Sequence, residues 1–458
     1  MNNALDYLEW RGDLSIEAAP LGEVDLFICS QLATPDYSGI VHGIDAPIPI
    51  PEVSARFFEN NEMDVSVLGV LQSECVLPML SVLPKYPRFA TASLGGYVLK
   101  VDRALEEQFS AVTVCFPDGS VCVSYQGTDD SLVGWKENFN FAVCDFVPAQ
   151  KDAALYLEKI AKATAGKIYV VGHSKGGNLA VYAAAHATKK TQKRLVRVIS
   201  FDGPGFQDGF FEQKGYLAIA DRVFTILSQN AMVGVLLNTA GERVIVKGNK
   251  KGPIAHDGFT WEVKGDRFVR CSSFSKESRF FDRTMDSLLR GLAPQERVDF
   301  IGGLFDALYA TGATTITDLK KLKFNQVILI IYRFSMKKRL SKTISIALDA
   351  IFHQERNIKK LRNAPIGDGS LAAPVSRIEA AEAHVPSPRL PARRAPVAKL
   401  PQAKKASVKR QTPRAGQTLA KKSPSTPKTP KKQPSPPPTS AKVGENAPER
   451  KNYRKENV

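Results

Sequence analysis

Ser174, in the string VVGHSKGGN at 170 to 178, and His256, in KGPIAHDGFTWEV, are the residues of this 458-residue chain most suited to nucleophilic chemistry. A serine hydroxyl becomes a useful nucleophile only when a base takes its proton, the base is oriented by an acid, and donors meet the developing oxyanion. A Gly-x-Ser-x-Gly string arises by chance in many proteins, so its context has to decide. Four histidines follow the serine. His186 lies along the same helix and points away, His353 falls in a late helical region and His384 in the C-terminal tail, which leaves His256 in its glycine-rich loop between two strands. For the acid, Asp202 ends the strand VRVISF and opens the turn Asp-Gly-Pro-Gly-Phe, giving the order Ser174, Asp202, His256. Asp257 and Asp221 are less suitably placed, and a turn aspartate is also a common cap. The oxyanion hole needs two donors. One is the amide of Lys175, next to the serine, and the other is expected from the Gly127–Thr128 turn in SYQGTDD, which read neutrally is a strand end with an Asx turn at Asp129. The Lys175 side chain either meets an anionic substrate or developing charge, or is a surface lysine without a role.

These residues need a framework that brings them together. KIYVV followed by Gly-His-Ser-Lys-Gly and the alanine-rich NLAVYAAAH reads as strand, sharp turn and helix, with Gly172 and Gly176 allowing the backbone to pass closely. Upstream, AVTVCF, the turn Pro117-Asp118-Gly119 and VCVSY predict a β-hairpin. A helix is expected over 149 to 164 and another from Gly176 to about Thr188, with strands VRVISF, RVFTIL, RVIV (243 to 246) and FTWEV (259 to 263). Strands separated by helices imply crossover units, hence an α/β fold with a mostly parallel sheet flanked by helices. Four segments follow: a helical, loop-rich lead-in packed on the core over 1–90, the α/β core over 91–300, a helical appendage over 301–361, and a tail over 362–458. Residues 30 to 60, with Phe57 and Phe58, and the helices at 275 to 340 are both able to cover a pocket.

The tail holds 16 of the chain's 29 prolines and 21 Lys+Arg against 6 Asp+Glu, so it carries +15 of the net +17. With Tyr453 its only aromatic, it is expected to be disordered, and its KKSPSTPKTPKKQPSPPP stretch suits polyanions such as nucleic acid or an anionic membrane surface. The six cysteines show no metal-type spacing and are expected to be reduced and mostly buried; no metal or cofactor is expected. MNNALDYLEWRGDLS has no signal-peptide h-region and no stretch reaches about 18 apolar residues, VILIIY at 327 to 332 being too short, so a cytoplasmic protein without a transmembrane segment is expected.

The motifs SYQGTDDSLVGWKENF, VVGHSKGGNLAVYAA, SFDGPGF and AHDGFTWEV, with the opening YLEWRGDLS and FICSQL, together resemble the Mbeg-like bacterial domain of unknown function, an α/β-hydrolase family related to class 3 lipases, over about residues 4 to 300. The resemblance implies an α/β-hydrolase-type fold and a serine hydrolase cleaving a small-molecule or lipid acyl ester. It assigns Ser174 and His256 to the elbow serine and late histidine, and Gly127 and Thr128 to the oxyanion turn. Class 3 lipases carry their aspartate after the strand matching RVFTIL, where this chain has Ser228, Gln229 and Asn230. Asp202 as the acid, Asn230 as an orienting amide, and a weakened triad are therefore the alternatives. The other functional class is a hydrolase-like scaffold of little or no activity that works through its basic tail.

Overall fold

The computed structural model describes residues 2–60 and 72–320. The lead-in comprises α1 (Ala4–Arg11), α2 (Glu23–Gln31), the short β1 (Ile48–Pro49), α3 (Ile50–Asn60), α4 (Val76–Val82) and α5 (Pro87–Ala90). Then come β2 (Ser93–Asp102), β3 (Glu107–Cys115), β4 (Val121–Tyr125), α6 (Leu132–Asn140), α7 (Pro148–Ala163), β5 (Ile168–His173), α8 (Lys175–His186), α9 (Lys189–Gln192), β6 (Leu195–Phe201), α10 (Lys214–Leu217), β7 (Val223–Ser228) and β8 (Glu242–Val246). A two-stranded ribbon of β9 (Val263–Lys264) and β10 (Arg267–Phe268) precedes α11 (Lys276–Gly291), α12 (Pro294–Tyr309) and α13 (Ile316–Lys320).

β1 to β8 form one sheet in the order of the sequence. Pairs from β1 to β4 are antiparallel and those from β4 to β8 parallel, so the fold is α/β with a mixed, largely parallel sheet. Crossovers of the usual right hand that always advance in one direction place their helices on one face. That face carries α7 and α8, packed on β3 to β6. The other face would be left bare, and the lead-in covers it, with α2 lying against β4 and β5. Strand alternation sorts the apolar side chains accordingly. Val121, Val123, Tyr125, Val170 and Val198 join the core under α7 and α8, while Cys122, Val171, Ile199 and Phe201 join Phe27 and the lead-in.

Several elements differ from the sequence reading. β2 was not expected, because Gly95 and Gly96 interrupt its apolar pattern; the register shifts between Gly95 and Val98. α6 lies within LVGWKENF, where no helix was assigned. FTWEV is not a strand: Gly258–Thr260 is a single 3-10 turn, and only Val263 enters β9, because buried Trp261 anchors the loop with Nε1 donating to the Ala255 carbonyl at 3.1 Å. The boundary placed at 300 falls inside α12. Residues 321–361 of the expected appendage, including VILIIY and His353, and the whole 362–458 tail with its expected disorder lie outside the described residues. Among the described residues no helix is long and apolar enough to cross a membrane, and no group of three or more His, Cys, Asp or Glu is placed to hold a metal. The six cysteines are unpaired thiols; burial raises the thiols of Cys29 and Cys115.

Candidate active site

Parallel pairing brings the site residues to one edge. Tyr125 of β4 is in register with Gly172 of β5, and His173 of β5 with Phe201 of β6, so the turns after these strands emerge side by side at their carboxyl ends. Gly127 and Thr128 follow β4, Ser174 follows β5, and Asp202 follows β6. His256 arrives from the loop beyond β8, in the 3-10 segment Gly252–His256.

Ser174 has φ 57° and ψ −132°, a left-handed conformation that L residues adopt only where the surroundings impose it. Its amide donates to the Phe201 carbonyl at 2.9 Å, and its carbonyl accepts from Gly177 at 2.9 Å. The turn closes because two positions lack side chains. A Cβ at Gly172 would stand 2.1 Å from the Gly176 carbonyl, and one at Gly176 would stand 2.1 Å from the Tyr125 carbonyl oxygen. The Lys175 amide is in the first turn of α8, where the intrahelical ladder leaves N–H groups free for an anion.

Asp202 is fully buried and also has positive φ, 49°. Its Oδ2 lies 2.7 Å from His256 Nδ1, while His256 Nε2 is buried without a hydrogen-bond partner among the described residues. An imidazole protonated on Nδ1 and facing the acid presents Nε2 as the acceptor. The other carboxylate and amide candidates are engaged elsewhere. Asp257 accepts from Ser73 Oγ and the Phe259 amide, with burial raising its pKa, and Asp221 is exposed beside Arg222. Asn230 donates its side-chain amide to the Lys250 carbonyl at 2.7 Å, away from the imidazole.

Thr128 is buried with its turn pressed against the serine: a Cβ at Gly127 would come 3.2 Å from Ser174 Cβ. Gln72 Nε2 donates to the Thr128 carbonyl at 2.7 Å and Asn138 Nδ2 donates to Thr128 Oγ1. Asp129 accepts from the Ser131 amide and hydroxyl, so the Asx turn exists as well and leads into α6. The Lys175 side chain fits neither expectation. It is fully buried, its Nζ 2.5 Å from Glu137 Oε2 and 2.9 Å from Gln108 Oε1, directed under the Gly127–Thr128 turn. Glu137 also accepts from the amides of Gln108 and Ala149, so the carboxylate ties α6, α7, α8 and β3 together.

His173 lies in the site although nothing in the sequence singles it out, since a triad base is expected to follow the serine. Its Nε2 meets the His256 carbonyl oxygen at 2.8 Å and its ring lies 4.5 Å from the His256 ring. Burial, with the neighbouring imidazole, lowers its pKa from 6.5 to about 3, so it is neutral at physiological pH. Gln72, Asn138 and Glu137 were missed too. As single polar residues outside any motif they left no signal.

A cavity of about 290 Å³ opens beside Ser174, His256 and Thr128. Phe139 and Phe141 at the end of α6, Leu236 and Leu237, and Phe281 and Met285 of α11 form much of its wall, joined by Phe300 and Ile301 of α12. The helices beyond 275 contribute lining residues, while the described part of segment 30 to 60 does not line the cavity and packs in the lead-in core.

Residues 83–306 match the family model described as Mbeg1-like. No curated protein matches. Among solved structures, the crystal structure of M37 lipase is similar at 16% identity and a TM-score of 0.27, the alignment covering 36% of this chain and 64% of the lipase chain. The match thus spans less than two thirds of that lipase's length.

Proposed function

We propose, from the premise that residues 83–306 match the Mbeg1-like family model, that this chain is a serine hydrolase cleaving an acyl ester with an apolar acyl or alcohol part. Ser174 Oγ attacks the ester carbonyl carbon while His256 Nε2 takes its proton; the tetrahedral oxyanion is met by the amides of Thr128 and Lys175. Asp202 holds the imidazole in the tautomer that leaves Nε2 basic and stabilises the imidazolium once it forms. The proton then passes to the leaving alcohol, and water hydrolyses the acyl-enzyme by the same relay in reverse. The observation that carries this reading is the 2.7 Å Asp202–His256 contact with a buried Nε2 that has no partner among the described residues. The apolar walls of the cavity support an apolar substrate. Wild-type protein should be labelled by a fluorophosphonate probe and Ser174→Ala should not; an unlabelled wild type overturns the reading. A series of p-nitrophenyl esters of graded chain length, with Ser174→Ala as blank, then identifies the acyl preference.

A further inference from the structure

The cavity beside Ser174 has a charge pattern that ester cleavage does not use. No aspartate or glutamate is among the described residues lining it, whereas two lining residues are cationic, Lys175 and Arg297. The Lys175 ammonium is turned away into Glu137 and Gln108. Arg297 follows Glu296, whose carboxylate accepts from the Ala293 amide at the start of α12; it donates Nε to the Leu292 carbonyl at 3.1 Å, just past the end of α11, and this contact engages only one edge of its guanidinium. Apolar walls around the guanidinium displace water and strengthen its attraction for an anion. The guanidinium fork matches the oxygens of a carboxylate or phosphate.

The geometry points to a binding site for an amphiphile with one anionic group. We propose that Arg297 holds a carboxylate or phosphate and that the alkyl part lies against Phe281, Met285, Phe300 and Ile301. Resting on the ester reading, this narrows the substrate to acyl esters bearing a negative charge, in preference to neutral or cationic ones. The test is binding to the full chain, so it does not depend on turnover. Dodecyl phosphate, dodecanoate and dodecanol are titrated calorimetrically into wild type, Arg297→Gln and Arg297→Lys, below their aggregation concentrations. At least one anion should bind about fivefold to tenfold more tightly than dodecanol. Arg297→Gln should collapse that difference, and Arg297→Lys should keep a measurable part of it. The basic tail is the same in all three proteins, so its attraction for anions cancels. Equal binding of anions and alcohol by wild type, or a preference that survives Arg297→Gln, overturns the proposal. Loss of fluorophosphonate labelling with the Arg297 effect intact would instead count against the hydrolase reading alone.

Discussion

At the scale of single residues, two histidines in ring contact have different tasks. His173, neutral in the folded protein with its pKa lowered to about 3, supports the His256 backbone. In the unfolded chain it takes up a proton near its ordinary value of about 6.5, so between these values the unfolded state binds more protons and stability rises with pH. The contribution is complete above pH 6.5 and is lost as pH falls, by about 2 kcal/mol at pH 5. Urea unfolding at pH 7 and pH 5 should show wild type losing about that much more than His173→Gln; parallel losses would refute the assignment. Asp202→Asn, which leaves the geometry but offers the wrong tautomer, should lower kcat by about 10³ to 10⁴ with KM little changed. Ser174, Asp202 and His256 were legible as candidates because a sharp turn, a strand end and a glycine-rich loop each leave a local signature. Asp202 against Asn230 was not, since both follow a strand and only the tertiary path of the loop carrying His256 selects one.

At the scale of elements, the Lys175–Glu137 pair joins the helix behind the serine to the helix after the Thr128 turn. Breaking a buried pair leaves the surviving charge without compensation, so Lys175→Met and Glu137→Gln should each cost about 3–5 kcal/mol. The double variant Lys175→Met/Glu137→Gln should recover part of that loss, and the double-mutant cycle of these two substitutions by chemical denaturation measures it. Additive losses would mean that the pair does not couple. The sequence showed a lysine next to the serine but not its direction, because burial of a charge is set by a partner 38 positions away. The parallel strands β4 to β7 were legible as apolar runs between helices; β2 was not, as its two glycines erase the pattern, and α6 was masked by Gly134 and the polar KEN stretch. Replacing Gly176 by alanine should unfold the elbow, lowering both Tm and fluorophosphonate labelling, since the added Cβ meets backbone atoms of β4 and the turn after it.

At the scale of the whole molecule, the charge is concentrated at one end of the sequence. Of the net +17, the segment 362–458 carries +15. Retention on heparin should therefore vanish when the chain is cut at 362 and should fall steeply with added salt; equal retention by the shortened protein would remove the tail from consideration. Within the described residues the sheet order follows the sequence from β1 to β8. Each strand therefore finds its neighbour already made when it leaves the ribosome, so the sheet can grow from one edge without waiting for a distant partner. Ser174 and Asp202 are in place by the time β6 is laid down, but His256 is synthesised last of the three. On the proposed function, a nascent chain would hold its serine unarmed until the loop carrying His256 is laid down.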